Sequence, residues 1–283
     1  MKRILLFVLT NIVIVFTLSI VLAVLGVHPG RGLESLMIFS LIYGMGGSFI
    51  SLQMSRWVAK RSTGMQLIDG RSGRQELDSL YATIERLARQ ANLPMPEVGV
   101  YESQEVNAFA TGPSKSRSLV AVSTGLLRSM RPDEVEGVLA HEVSHIANGD
   151  MVTMTLLQGV VNAFVIFLSR AIASMLRGSN DNRGGGAYFL VVIVLQTVLG
   201  FLGALVTTWF SRHREFRADR GGASLAGREK MIGALRRLLS NQQLVDPSHE
   251  ALATLKINGT RGWMMFFSTH PPLEARIAAL EAE

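Results

Sequence analysis

The chain has 283 residues, of which 48% are hydrophobic and only 18% are charged, a composition typical of membrane proteins. The absence of cysteine excludes disulfides, thiolate metal ligands and a cysteine nucleophile. The net charge of +6 fits the basic bias on one side of a membrane, and no nucleic-acid motif is present.

Two apolar runs, 4–27 and 33–54, lie near the N-terminus and are joined by a short turn. A bilayer span needs about 20 apolar residues, and both runs reach that length. A cleaved signal peptide is the alternative for the first run, but its apolar core would be at most about 15 residues long. We therefore expect an uncleaved membrane hairpin in residues 1–56.

Residues 57–150 have the composition of a soluble domain, after a short basic stretch. Apolar residues at helical spacing predict an amphipathic helix over 75–91. Runs of strand-forming residues between turn residues predict short strands over 98–101, 107–110 and 119–122. We expect a small sheet beside the helix that follows.

That helix carries the motif HEVSH. Pro132 suits the first position of a helix, and Gly149 suits its end. His141 and His145 then lie on one face, one turn apart, where both can bind one metal ion. Glu142 can reach a metal-activated water without being a ligand, which is the HExxH pattern of zinc hydrolases. The alternative is a core helix that carries two histidines by chance, but burying these groups without a metal is costly.

Two further apolar runs, 151–168 and 187–210, are separated by a glycine-rich loop. Their length and scarcity of charge predict a second pair of membrane spans. The alternative is a pair of buried core helices, which Arg170 favours because its charge shortens the first of the two runs.

A catalytic zinc site usually has three protein ligands, so one more ligand is needed. Glu215 is the preferred candidate, and His213, His249 and His270 are the other downstream possibilities. Asp219 lies four residues after Glu215 on the same helix face, and it can hydrogen-bond the far nitrogen of a ligand histidine.

Four motifs in this order, NAFATG, HEVSHIANGDM, SRHREFRAD and FSTHPPLEARI, resemble the HtpX-type membrane zinc metalloproteases, which are related to the CAAX prenyl endopeptidases. The resemblance implies a mainly α-helical fold with a small β-sheet (α+β), of the gluzincin type, with about four transmembrane helices. The implied parts are a membrane hairpin (1–56), the first part of a cytoplasmic metalloprotease domain (57–150), a second membrane pair (151–210) and the second part of the domain with the third ligand (211–283).

The resemblance also assigns roles to residues. It implies one Zn²⁺ per chain, bound by His141, His145 and Glu215, with Glu142 as the catalytic base. It places His270 near the site as a candidate donor to the reaction's oxyanion, and a helix-capping role before two prolines is the alternative.

Two residues are candidates for substrate binding. Asn107 and its strand can pair with an extended substrate at the edge of the sheet, although a purely structural strand is the alternative. Arg276 is the other candidate, and support of His270 or a plain surface position are its alternatives.

The expected function is a membrane-bound zinc endopeptidase that hydrolyses misfolded or damaged membrane proteins in quality control and stress response. The alternatives are a CAAX-type prenyl-protein endopeptidase and a non-enzymatic membrane scaffold with structural zinc. Candidate partners are membrane-protein or unfolded polypeptide substrates, the lipid bilayer and other quality-control proteases. The resemblance implies a multi-pass protein of the bacterial inner (plasma) membrane. The distribution of basic residues predicts that the catalytic domain and both termini lie in the cytoplasm.

Overall fold

The computed structural model describes residues 20, 32–176, 185–245 and 270–282. Most of them are helical, and a small sheet accompanies the helices, so the predicted α+β class is confirmed. The helices are α1 (Leu33–Thr63), α2 (Gln75–Gln90), α3 (Thr124–Ser129), α4 (Pro132–Asn148), α5 (Asp150–Leu176), α6 (Gly185–Ala226), α7 (Arg228–Val245) and α8 (Leu273–Glu281). The strands are β1 (Gln66–Ile68), β2 (Glu97–Tyr101), β3 (Ala108–Ser114) and β4 (Arg117–Ser123).

The chain divides into two compact units, one of residues 1–53 with 153–207 and one of residues 54–152 with 208–283. Helices α1, α5 and α6 are long and apolar enough to cross a membrane. Only 11% of the most apolar window of α5 and of α6 is buried, an exposure that a soluble protein would not tolerate. The chain is therefore an integral membrane protein with three candidate spans among the described residues, and the predicted run 4–27 lies almost entirely outside them.

Small residues bring the helices of the first unit together. A Cβ atom at Gly44 of α1 would overlap the backbone of Ala163 in α5, so only glycine permits this approach. Helix α5 continues through Arg170, whose guanidinium lies 5.1 Å from the centre of the Phe39 ring. This cation–π contact lets the charge remain within an apolar helix without ending it.

The second unit contains a four-stranded sheet in the order β1-β2-β4-β3. Strands β2 and β4 are parallel, and the two outer strands pair antiparallel to their neighbours. The three predicted strands are present, whereas the short β1 was not predicted. Strand β3 is an edge strand that lies next to α4.

One core joins the sheet to helices α2 and α4. The buried face of α2 includes Leu80, Ile84 and Leu87, at the spacing predicted from the sequence. It packs into the same cluster as Leu139 and Val143 of α4. Full burial stabilises each such side chain by about 1.5–3 kcal/mol, so this cluster fixes α4 firmly against the sheet.

Candidate metal centre

Helix α4 is held at both ends by local interactions. The backbone N–H of Arg131 donates to the Glu134 carboxylate at 2.8 Å, and Pro132 begins the helix. Gly149 ends it in the left-handed conformation, at φ 70°. Both predicted boundaries of the helix are therefore confirmed.

The two histidines of α4 point to the same place. His141 and His145 are both buried, and their Nε2 atoms are 3.0 Å apart. This proximity is what the four-residue spacing predicts, because such residues lie one turn apart on the same face.

Glu215 of α6 completes a group of three. Its carboxylate oxygens lie 3.4 Å from His141 Nε2 and 3.4 Å from His145 Nε2. The side chain is fully buried, and these three residues form a cluster that could hold a metal ion. Tetrahedral zinc with bonds of about 2.0–2.2 Å requires its ligand atoms to lie about 3.3–3.6 Å apart. The donor types fit zinc, and so do both separations between Glu215 and the imidazoles. The two Nε2 atoms, 3.0 Å apart, would move about 0.3 Å further apart when zinc binds.

A carboxylate stands behind each imidazole. His141 Nδ1 is 2.9 Å from Asp219 Oδ1, and His145 Nδ1 is 2.7 Å from Asp150 Oδ2. Because each Nδ1 faces a carboxylate, each Nε2 is directed toward Glu215. These contacts select the tautomer that binds a metal through Nε2.

The carboxylates also hold protons on the imidazoles in the absence of metal. Burial by itself lowers the pKa of His145, but the hydrogen bonds with Asp150 and Glu215 outweigh it and raise the pKa to about 9. Burial opposes the charge of His141 in the same way, and contacts with Asp219 and Glu215 raise its pKa. A metal ion must therefore displace protons when it binds here.

Arg276 lies inside the protein, against the metal site. It donates to both oxygens of Asp219, at 2.7 and 2.6 Å, and its side chain is only 7% exposed. Its Nη1 is also 3.5 Å from Glu215 Oε2. The structure places Arg276 behind the ligands, against Asp219 and Glu215, and not on the surface.

His270 and Glu142 flank the ligands. His270 Nδ1 lies 2.8 Å from Glu215 Oε2, and 61% of the His270 side chain is exposed. Glu142 is half-buried on α4, between the two histidines in sequence. Both residues thus occupy positions near the cluster that solvent can reach.

The other candidates lie elsewhere. His213 is exposed on α6, and its ring centre is 4.5 Å from that of Trp209. His249 lies outside the described residues. Asn107 is exposed and immediately precedes β3, and its backbone N–H donates to Ser123 Oγ at 3.1 Å.

Sequence reasoning missed Asp150 and Arg217. Asp150 is fully buried, and Arg217 Nη2 lies 2.5 Å from Asp150 Oδ1. A signal for Asp150 does exist in the sequence. A glycine that ends a helix in the left-handed conformation turns the chain back, so the residue after it lies near the last turn of the helix, where His145 is. For Arg217 no comparable local signal exists, since its partner is 67 residues away.

Two glycines allow α6 to approach α4. A Cβ atom at Gly221 would overlap the Ser144 hydroxyl, and one at Gly222 would lie 3.1 Å from the backbone nitrogen of His141. Larger residues would push α6, and Glu215 with it, away from the histidines. These glycines therefore fix the separation of the ligands.

Comparison with known proteins agrees with this site. The model of peptidase family M48 matches residues 74–283. The protease HtpX of Idiomarina loihiensis is 52% identical and the protease HtpX homolog of Bacillus licheniformis 51% identical, each over at least 99% of both chains. The crystal structure of S. mikatae Ste24p is similar in fold, with a TM-score of 0.64 at 18% identity, over 99% of this chain and 66% of that chain.

Proposed function

This chain belongs to peptidase family M48 and is a membrane zinc metalloprotease, and we propose that it hydrolyses misfolded or damaged membrane proteins at the cytoplasmic face. The observation that carries the proposal is the buried cluster of His141, His145 and Glu215, in which the Glu215 carboxylate lies 3.4 Å from each imidazole Nε2. The chain acts on protein substrates as a metalloendopeptidase, and the predicted family resemblance is confirmed.

In this proposal His141, His145 and Glu215 hold the zinc, and Asp219 orients His141. Zinc, when bound, polarises a water molecule and the substrate carbonyl. Glu142 accepts the proton of the attacking water and passes it to the leaving amine. His270, exposed and beside Glu215, donates a hydrogen bond to the developing oxyanion. Arg276 holds Asp219 in place through two hydrogen bonds.

The substrate binds as an added strand beside β3. Within the described residues β3 pairs only with β4, so its outer edge is available next to the ligand helix. The register with β4 is regular from Ala108 to Thr111 and shifts between Thr111 and Ser114. We expect substrate pairing along the regular part, with Asn107 at its beginning. Strand addition recognises backbone rather than sequence, which suits unfolded substrates.

The proposed setting is the bacterial inner membrane, with the catalytic domain and both termini in the cytoplasm. Basic residues cluster on the proposed cytoplasmic side, at Lys2, Arg3, Arg56, Lys60, Arg61, Arg212, Arg214, Arg217 and Arg220. The opposite side has Arg31, Arg177 and Arg183, with Arg170 at most. This bias sets the orientation of membrane proteins.

The proposed parts are those predicted from the sequence, 1–56, 57–150, 151–210 and 211–283, and the two compact units support that division. Lipids and other quality-control proteases are its proposed partners.

The test is proteolysis by the full chain, purified in detergent and loaded with zinc. We expect Glu142→Gln to retain zinc by elemental analysis and to hydrolyse an unfolded protein at least about 100-fold more slowly. Glu102→Gln, at an exposed carboxylate paired with Arg128, is the matched control and should keep full activity. Near-native turnover by the Glu142 variant would refute the mechanism.

A second experiment tests the substrate class by comparing hydrolysis of different substrates. The wild-type chain should hydrolyse the unfolded form of a membrane protein and leave its folded form intact, and a chelator should abolish the reaction. Cleavage of a prenylated C-terminal peptide alone would instead favour the CAAX-type alternative.

A further inference from the structure

Asp150, which contacts His145 Nδ1, is held in place by the turn between α4 and α5 and by a second partner. It is the first residue of α5 and follows Gly149, whose left-handed conformation turns the chain directly after α4. This turn returns the Asp150 carboxylate to the last turn of α4, where Oδ2 lies 2.7 Å from His145 Nδ1. Asp150 is fully buried, so the contact is shielded from water.

Arg217 compensates the buried charge. Its Nη2 lies 2.5 Å from Asp150 Oδ1, so one carboxylate oxygen faces the imidazole and the other faces the guanidinium. The position of Asp150 at the N-terminus of α5 also favours a negative charge. A buried carboxylate with both oxygens paired has a fixed orientation, and it fixes in turn the imidazole that it contacts. The Arg217 side chain is half-exposed, so it can be changed without opening the core.

The same arrangement occurs at the other histidine. Asp219 contacts His141 Nδ1, and Arg276 donates to both oxygens of Asp219. The two imidazoles are thus each backed by an aspartate that is itself held by an arginine. The four supporting residues come from α5, α6 and α8, so the similarity is one of geometry and not of sequence.

We propose that Asp150 is a positioning residue for His145 and that Arg217 holds Asp150 in the orientation required. This inference rests on the proposed zinc site, in which His145 is a ligand through Nε2. With Nδ1 engaged by Asp150, His145 Nε2 stays 3.0 Å from His141 Nε2 and 3.4 Å from Glu215 Oε1. Without Asp150 the ring can rotate and the other tautomer becomes accessible, so zinc binding weakens.

The test compares Asp150→Asn, Arg217→Gln and Arg217→Lys in the full chain, by competition for zinc with a chromophoric chelator. We expect Asp150→Asn to weaken zinc binding by about 10- to 100-fold. Arg217→Gln should weaken zinc binding several-fold. Arg217→Lys should bind zinc almost as tightly as the wild type, because the lysine keeps the positive charge beside Asp150. Arg220→Gln, at an exposed arginine of the same helix, is the matched control and should bind zinc like the wild type.

A second readout separates positioning from general stability. The visible spectrum of the Co²⁺-substituted protein reports ligand geometry, and we expect it to change in Asp150→Asn and Arg217→Gln. Wild-type zinc affinity and an unchanged spectrum in both variants would overturn the inference. If Asp150→Asn does not fold, equal affinity in Arg217→Gln, Arg217→Lys and the wild type overturns it. A wild-type chain that binds no zinc at all would refute the proposed function itself.

Discussion

Substitution of Gly221 by alanine tests whether the contact between α6 and α4 sets the ligand geometry. The new Cβ would overlap Ser144 Oγ and lie 3.0 Å from Ser144 Cβ. Rotation of the hydroxyl relieves the first contact but not the second. Carbon atoms in contact are normally about 3.5–4.0 Å apart, so the two helices must separate by about 0.5–1 Å.

The size of the effect follows from this displacement. Glu215 Oε1 lies 3.4 Å from His145 Nε2, and the shift would increase this separation to roughly 4 Å, whereas zinc sites tolerate deviations of only about 0.2 Å in their bond lengths. Zinc must then draw the helices together against an overpacking strain of about 1–3 kcal/mol. We therefore expect zinc affinity to fall by about 5- to 150-fold, with a parallel loss of proteolysis at limiting zinc.

The assay is chelator competition on the purified variant, together with hydrolysis of an unfolded protein. Gly233→Ala is the matched control, because a Cβ there in α7 meets nothing within 4 Å. Adding Ser144→Gly to the Gly221 variant removes both clashing atoms and should restore zinc binding. A folded Gly221→Ala protein with wild-type zinc affinity would show that the helices accommodate the methyl group without moving the ligands, and the reasoning would be refuted.

Three further outcomes are expected. Glu215→Ala should lose zinc by elemental analysis while His213→Ala keeps it, and the reverse result would show that the third ligand is misassigned. The pKa of His145 is raised from 6.5 to about 9, so its charge stabilises the metal-free protein fully below about pH 6.5, and this stability is lost as pH rises through about 9. Because this proton must leave, and the pKa of His141 is raised as well, zinc affinity should rise at least about tenfold per pH unit over that window; a pH-independent affinity in chelator competition would contradict this. In this cysteine-free chain, a cysteine at Ser179, outside the described residues, should react with an impermeant thiol reagent from outside the cell, whereas labelling of one at Ser103 would reverse the proposed orientation.

The structural features that the sequence predicted correctly are those determined by residues close together in the chain. Pro132 and Gly149 bound α4 in the structure as predicted, because helix ends depend on residues within one turn. The proximity of His141 and His145 follows from helix geometry in the same way. Glu215 could be inferred because Asp219 accompanies it one turn later on the same helix.

The features that were missed depend on contacts distant in sequence. Strand β1 is three residues long with only Ile68 buried, so it has too short a pattern to detect, and its pairing with β2 decides its structure. The position of Arg276 depends on Asp219, with which it forms two hydrogen bonds inside the protein. A single arginine in a C-terminal helix gives no sign of such a partner.

The wide spacing of the ligands along the chain has a consequence for biosynthesis. Helix α5 and most of helix α6 lie between the two histidines and Glu215 in the sequence. Asp150 and Arg217, which are in contact, are likewise 67 residues apart. Arg276 contacts His141 across 135 residues, near the end of the chain. A nascent chain that carries HEVSH alone has only two of the three ligands. Tight zinc uptake, and with it proteolytic activity, must therefore wait until α6 has been synthesised and packed, so the enzyme stays inactive while the segments that precede α6 are still unfolded.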